Sequence, residues 1–222
     1  MIDMVQNWPL PAQILGGLVL GLLVLLGFRW FAYWSGELRR TREVQDVARS
    51  MDFGSNPQDR VALIHTLEAL NPEESSGKGV SPALKNLIHG RVGNVSVTVF
   101  DHEMEIDGAT LPVRHTAVCL QDDAMDLPRF ELHPRLPPTE IASNEELAAT
   151  GYLLRTGKTP AEQARRRFDA VMEYLAEHPG WSLVGGGTVL VCFKAGRRAS
   201  PRAWPELVKE AFAIHRVFRG SD

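Results

Sequence analysis

Cysteine is scarce in this chain, with only Cys119 and Cys192 among 222 residues. Two cysteines cannot build a disulfide framework or a four-cysteine zinc site. Both stand in strand-like segments, where they fit reduced, buried thiols in a cytosol. A single disulfide in an oxidising compartment would fit them as well. The low cysteine content therefore excludes the class of small folds held together by several disulfides. It does not decide whether the protein lies in a reducing or an oxidising compartment.

A strong net charge is also lacking. The chain has 24 basic and 27 acidic residues, which gives a formal charge of −3. Nucleic-acid binding as the main task requires a basic surface that meets phosphates, so the sequence predicts no nucleic-acid partner. Hydrophobic residues make up 44% of the chain, and that share is enough for an ordered core.

Recognised catalytic and cofactor motifs are missing. The sequence has no G-x-S-x-G, no dinucleotide fingerprint and no paired Cys or His at metal-ligand spacing. Gly185-Gly186-Gly187 lacks the Lys-Ser/Thr that a phosphate loop requires, and it is interpreted as a hairpin turn. The sequence thus predicts no cofactor, no metal and no catalytic residue, and it leans against an enzyme.

What the chain does have is a long apolar run near its N-terminus. Leu10–Phe28 contains no charged residue. As a helix it would span about 28 Å, close to the roughly 30 Å hydrocarbon core of a bilayer. The sequence therefore predicts a transmembrane helix, with the lipid bilayer as a partner.

Two other interpretations of this run are weaker. A cleavable signal peptide has a basic start and small residues at its cleavage site, but no Lys or Arg precedes Arg29, and bulky aromatic residues follow Phe28. A buried core helix is rarely so apolar with aromatic residues at both ends.

The flanks of the run match a membrane interface. Aromatic side chains lie on both sides of it, and basic side chains follow it on the C-terminal side, as in the aromatic belts and basic flanks of membrane helices. The predicted membrane-interface residues are Trp8, Arg29, Trp30, Tyr33, Trp34, Arg39, Arg40 and Arg42. The pair Gly17 and Gly21 has the G-x-x-x-G spacing that lets two helices approach closely, which raises self-association or packing on another membrane protein as a possibility.

The charge asymmetry predicts a topology. Basic residues lie on the C-terminal side of the run and are missing from the other side, so the positive-inside rule places the main domain in the cytoplasm. The arginines at positions 39, 40 and 42 could also contact anionic lipid. We therefore expect a single-pass protein of a bacterial inner (plasma) membrane.

The rest of the chain predicts one α+β domain with mostly antiparallel hairpins and packed helices. Helices are expected over 37–51, 57–70, 144–154, 159–177 and 201–218, and strands over 94–100, 113–121, 130–133, 181–184 and 188–194. Asn56 is the expected N-cap of the second helix, and Asp107-Gly108 is a hairpin signal. The predicted division is an N-terminal tail and anchor (1–36), juxtamembrane helices and linker (37–80) and the α+β domain (81–222).

One stripe of acidic residues is a candidate site. Asp101, Glu103, Glu105 and Asp107 alternate along one strand, so their carboxylates would share a face. Such a row could hold a hard cation or supply an acid/base pair. The simpler interpretation is the solvent face of a hairpin, where charge keeps other strands away. The seven histidines are expected to be structural.

Several short segments together resemble a known group of proteins. They are Phe100-Asp101 at a strand end, 115–118 (HTAV), 127–134 (LPRFELHP) and 178–182 (HPGWS). They resemble a diffuse family of uncharacterised bacterial single-pass membrane-anchored proteins with one α+β domain. The resemblance spans about 45–218 and departs between Pro134 and Phe168. It implies the fold and the membrane context, and no known activity.

Three functions follow as hypotheses. The first is a membrane-anchored, non-catalytic binding or scaffolding protein. The second is an enzyme or metal-dependent module that uses Asp101, Glu103 and Glu105. The third is a subunit of a larger membrane assembly.

Overall fold

The computed structural model describes residues 10–70, 83–104, 113–134, 145–147, 151–156 and 161–220. It divides the chain into two compact units, Met1–Glu43 and Val44–Asp222. The division into 1–36, 37–80 and 81–222 expected from the sequence remains a prediction.

The first helix, α1 (Leu10–Ser50), runs through the apolar segment and the arginine-rich stretch that follows it. The helix expected over 37–51 is therefore confirmed as its continuation. In the second unit, the last turns of α1 place Val44 and Ala48 in the hydrophobic core, with 3% and 6% exposure. This end of α1 thus packs as a core element of the second unit.

The second unit is built on an eight-stranded sheet in which every pairing is antiparallel. The strands in chain order are β1 (Ala83–Val92), β2 (Val95–Met104), β3 (Val113–Gln121), β4 (Leu127–Pro134), β5 (Glu145–Leu147), β6 (Tyr152–Thr156), β7 (Ser182–Gly187) and β8 (Val189–Phe193). Their order across the sheet is β1-β2-β3-β8-β7-β4-β6-β5. The predicted α+β class with antiparallel hairpins is confirmed.

Both faces of the sheet carry apolar side chains. The larger core joins one face to the end of α1 and to two helices, α3 (Ala161–Glu177) and α4 (Trp204–Gly220). At its centre, the rings of Phe130, Phe168 and Phe218 contact one another, with the Phe130 and Phe168 centroids 4.5 Å apart. A smaller core joins the opposite face to α2 (Pro57–Leu70) through Leu63 and Leu70.

The connection between α1 and α2 is tied to the edge strand β1. Asp52 adopts a positive φ of 57° just after the end of α1, a conformation that commonly terminates helices. Gly54 exchanges two backbone hydrogen bonds with His89 of β1, each 2.8 Å long. The Phe53 ring lies directly on Gly90, where an added Cβ would come within 2.2 Å of the ring. Glycine at position 90 therefore makes this contact possible.

Helix starts and ends follow local signals. The Asn56 side chain accepts a hydrogen bond from the backbone N–H of Gln58, which confirms the predicted N-cap of α2. The C-terminal helix also matches its expected range, with a short 3₁₀ turn (Pro201–Ala203) ahead of α4. The turn expected at Asp107-Gly108 lies outside the described residues.

Two expectations are wrong. The segment expected as a helix over 144–154 contains β5 and the start of β6, which pair with each other in the sheet. Pairing with β4 satisfies the backbone of β6, and this tertiary context overrides the helix preference of Glu and Leu. The three glycines at 185–187 do not all belong to a turn, because Gly185 lies within β7 beneath the Phe130 ring and only Gly187, with φ 59°, has turn geometry.

Candidate functional site

The apolar part of α1 exposes its side chains on every side of the helix. Large hydrophobic residues from Ile14 to Trp34 are 44% to 70% exposed. Within Gly17–Ser50, α1 holds a window with a mean hydropathy of 1.7, none of which is buried. A helix that is apolar all round and unburied matches a membrane span by length and composition.

The predicted interface side chains are distributed along α1. Trp30 and Trp34, one turn apart, stack with ring centroids 6.1 Å apart, and Tyr33 is 44% exposed. Arg29 is exposed beside them, while Trp8 lies outside the described residues. One end of the apolar stretch therefore carries an aromatic group of the kind found at membrane interfaces.

The arginine cluster follows the aromatic group. The Arg39 side chain is 80% exposed and makes an ion pair of 3.0 Å with Glu43 one turn further along. Arg42 is exposed and Arg40 is half-buried. A pair spaced i,i+4 on a helix surface contributes only a few tenths of a kcal/mol. Arg39 and Arg42 therefore present basic charge on the surface of α1.

Gly17 and Gly21 lie four residues apart on α1, and an added Cβ at either position would meet nothing within 4 Å. The backbone at both positions is thus accessible to another helix. The predicted packing through these glycines stays a prediction.

The described residues of the acidic stripe, Asp101 and Glu103, lie in two different environments. Asp101 is 4% exposed, so the expectation of a solvent-facing hairpin row is wrong for this residue. Its Oδ1 accepts a hydrogen bond from Thr116 at 2.8 Å, and its Oδ2 accepts bonds from Asn86 at 2.8 Å and Arg198 at 3.1 Å. Both carboxylate oxygens are therefore engaged by donors.

Glu103 lies two residues further along β2 and pairs with two cations. Its carboxylate lies 2.8 Å from Lys85 Nζ and 2.7 Å from an Arg114 nitrogen. The hydrogen bond from Lys85 is the main reason that its pKa is lowered, and Arg114 adds to the effect. Glu105 and Asp107 lie outside the described residues. The two described carboxylates thus fix β1, β2, β3 and Arg198 to one another, and the donors around them are cationic or neutral rather than metal ligands.

A pair of histidines lies on the opposite face of the sheet. His102 Nδ1 and His115 Nε2 are 3.2 Å apart, because these residues face each other across β2 and β3. His115 also stacks on Phe193, with centroids 4.5 Å apart. Burial lowers the pKa of His115 to about 4 and that of His102 in the same direction. Both rings are therefore neutral near pH 7 and pack as polar members of an aromatic cluster.

A second buried polar contact joins the turn after β3 to α4. His215 Nε2 lies 2.9 Å from Asp122 Oδ2, and both side chains are less than 5% exposed. Burial raises the pKa of Asp122, but the Ala124 N–H and His215 outweigh it and the net direction is downward. This pair connects residues 93 positions apart, so no local signal in the sequence could have revealed it.

The two cysteines are buried free thiols. Cys119 pairs with Val191 in the sheet, and its neighbour Val118 pairs with Cys192, so the thiols lie on opposite faces of adjacent strands. The alternative of a single disulfide between them is therefore wrong. Burial raises the pKa of Cys119 to about 12 and also raises that of Cys192, which makes both thiols unreactive.

No group of three potential metal ligands occurs among the residues that the structure describes. The polar side chains discussed above bind one another across strands and helices. Among the described features, the apolar part of α1 differs from these clusters because its large side chains are exposed.

The class of protein defined by these features is an α+β domain preceded by a long apolar helix. The fold resembles a crystal structure of the mycobacterial trehalose monomycolate transport factor A, with a TM-score of 0.51 and 16% identity over 82% of this chain and 93% of that chain. At this identity the likeness concerns the fold alone. No family model and no curated protein matches the chain.

Proposed function

We propose that this protein is a single-pass membrane protein whose α+β domain is a non-catalytic binding or scaffolding module. The observation that carries the proposal is the exposure of large apolar side chains on all sides of α1, from Ile14 to Trp34. In water this surface would be strongly unfavourable, because each large side chain loses about 1.5–3 kcal/mol relative to burial. A bilayer removes that cost.

The polar clusters of the domain support the non-catalytic part. Asp101 and Asp122, the two buried aspartates described above, are each held by several donors within the fold. The histidines closest to one another are neutral and packed against aromatic rings. These arrangements stabilise the fold, and they favour a structural role for these described carboxylates and histidines.

The anchor is tested by membrane fractionation of the full-length chain. We expect it to stay in the membrane pellet at alkaline pH and high salt and to dissolve only with detergent, whereas a chain that lacks residues 1–36 is recovered in the soluble fraction. A matched control, Val61→Ala, removes an exposed apolar side chain of α2 and should leave the fractionation unchanged. Release of the full-length chain at alkaline pH would refute the anchor, and a mass that shows cleavage after the apolar stretch would indicate a signal sequence instead.

The orientation is proposed to place the domain in the cytoplasm, and the support for it is the basic flank at positions 29, 39, 40 and 42. A fluorescent reporter that folds only in the cytoplasm, fused after Asp222 and expressed in a bacterium, should be active. A silent reporter with the fusion intact would reverse the topology.

A second candidate is a subunit of a membrane-associated assembly. Two observations favour it: the accessible backbone at Gly17 and Gly21, and a fold similar to that of the mycobacterial transport factor. Gly17→Ile with Gly21→Ile should then dissociate a complex that survives in mild detergent, while Gly27→Ile, at another open position of α1, leaves it intact. A full-length chain that migrates as a lone monomer at native expression levels would count against this candidate.

A further inference from the structure

The arginine cluster that follows the apolar part of α1 carries an inference about the lipid that the anchor meets. The cluster consists of Arg39, Arg40 and Arg42. Between Arg29 and Arg42 the chain has four arginines and one acidic residue, Glu37. The stretch is helical throughout, so the distances along it follow from the rise of an α-helix.

Those distances place the cluster just outside the lipid headgroups, close enough to act on their charge. If the aromatic group that includes Trp30 and Trp34 marks the boundary of the hydrocarbon, Arg39 lies about 8 Å beyond Trp34 and Arg42 about 12 Å beyond it. The polar headgroup layer is about 5–8 Å thick on each side of a bilayer. The cluster therefore lies at the outer edge of the headgroups, within the roughly 8 Å over which charges act at physiological salt.

The three side chains also surround the helix. Successive residues on an α-helix are about 100° apart, so positions 39, 40 and 42 point in three different directions. Arg39 and Arg42 are exposed and can meet headgroups on two sides, whereas Arg40 is half-buried. Arg39 is 80% exposed even though it contacts Glu43, and exposed pairs of this kind are weak enough to exchange for another anion. Arginine also binds phosphate oxygens with two parallel hydrogen bonds, which lysine cannot do.

We propose that Arg39, Arg40 and Arg42 recruit anionic phospholipids in the leaflet on the domain side of the membrane. This inference rests on the proposed function, because it requires α1 to be inserted. The cluster then selects the lipids around the anchor, in addition to biasing its orientation.

The test uses the full-length chain in vesicles of phosphatidylcholine with one fifth phosphatidylglycerol. A trace of either lipid carries pyrene on an acyl chain, which leaves its headgroup intact, and energy transfer from tryptophan reports how close that lipid comes. We expect transfer to the anionic probe to exceed transfer to the neutral probe roughly twofold or more, since each arginine near such a surface contributes about fivefold to binding. Salt at 0.5 M should reduce the excess.

Two variants distinguish an effect of the arginine cluster from an effect of any positive charge on α1. Replacing all three arginines by glutamine should bring the ratio of the two probes close to one. Arg49→Gln should leave the ratio unchanged, because Arg49 is also exposed on α1 and also ion-paired within the helix, but stands seven residues beyond Arg42 in the sequence and belongs to the second unit.

Each outcome decides the proposal. Equal transfer to both probes in the unmodified chain, or an excess that survives the triple substitution, would overturn lipid selection while leaving the anchor standing. Transfer to neither probe would mean that α1 is not inserted, and both the anchor and the lipid selection would fail.

Discussion

The apolar half of α1 and the α+β unit use hydrophobic residues in opposite ways. In α1, Phe28 is 70% exposed and its neighbours are similar. In the α+β unit, Phe130 is 1% exposed and contacts two other aromatic rings. The same residue type is thus buried within the fold in one region and exposed in the other, where the proposed surrounding is a lipid bilayer.

The polar residues of the two regions also differ, in how far apart in the sequence their partners lie. Those of α1 lie on its surface in short-range pairs, such as Arg39 with Glu43. Those of the α+β unit join distant parts of the chain, as Asp101 does with Arg198. Substitutions of the same kind should therefore have small effects on folding in one region and large effects in the other.

The largest difference is expected for a matched pair of phenylalanines. Phe130→Ala removes a ring from the centre of the core and should lower the free energy of unfolding by about 3–5 kcal/mol. Phe28→Ala should change it by less than about 0.5 kcal/mol. Urea unfolding in mild detergent, followed by the fluorescence of buried Trp181 and Trp204, measures both. Equal effects would show that the two regions are not distinct.

Asp101 provides the next test. Asp101→Asn keeps the shape of the side chain but removes the charge that Arg198 faces, and Arg198 is only 19% exposed. Disrupting a buried pair of this kind should cost about 3 kcal/mol. Glu103→Gln, whose cationic partners are more exposed, should cost less than about 1 kcal/mol. Denaturant midpoints compare the two variants, and a larger loss of stability for Glu103→Gln would contradict the greater weight given to the buried Asp101 contacts.

The histidine pair predicts a loss of stability in mild acid. His115 has a folded pKa of about 4, whereas an unfolded histidine titrates near 6.5. The unfolded chain therefore binds a proton first, and stability should fall as the pH decreases from 6.5 towards 4, by at most roughly 3 kcal/mol for this group. His102 and His215 shift in the same direction.

Urea midpoints between pH 7 and pH 4.5 measure how steeply the stability falls with decreasing pH, which is the slope to be compared. His115→Phe keeps the stacking on Phe193 and should make the slope shallower. An unchanged slope in the variant would show that another group controls the response to acid.

The contact between Phe53 and Gly90 predicts the smallest effect. Gly90→Ala places a methyl group against the ring and should cost about 1–3 kcal/mol through displacement of Phe53. Gly54→Ala is the control, because its added Cβ meets nothing within 4 Å. Thermal unfolding of the two variants should separate them. Equal melting temperatures would indicate that Phe53 is not held against β1.

A structural feature could be predicted from the sequence when neighbouring residues determine it, and could not when distant residues do. The apolar stretch of α1 and the Asn56 cap are encoded by neighbouring residues, and both were predicted correctly. Strand β1 was missed because its alternation is interrupted by a register shift between Lys85 and Ile88. The environment of Asp101 could not be predicted either, because it depends on Arg198, 97 positions away.

Amide hydrogen exchange on the full-length chain in phospholipid nanodiscs tests the central claim most directly. If lipid covers the apolar part of α1, amides between residues 14 and 34 should exchange as slowly as those of the buried strands β3 and β8, although the large side chains of this stretch are exposed in the structure. Exchange at the rate of a solvent-exposed helix in this stretch, with β3 and β8 still protected, would contradict a membrane anchor.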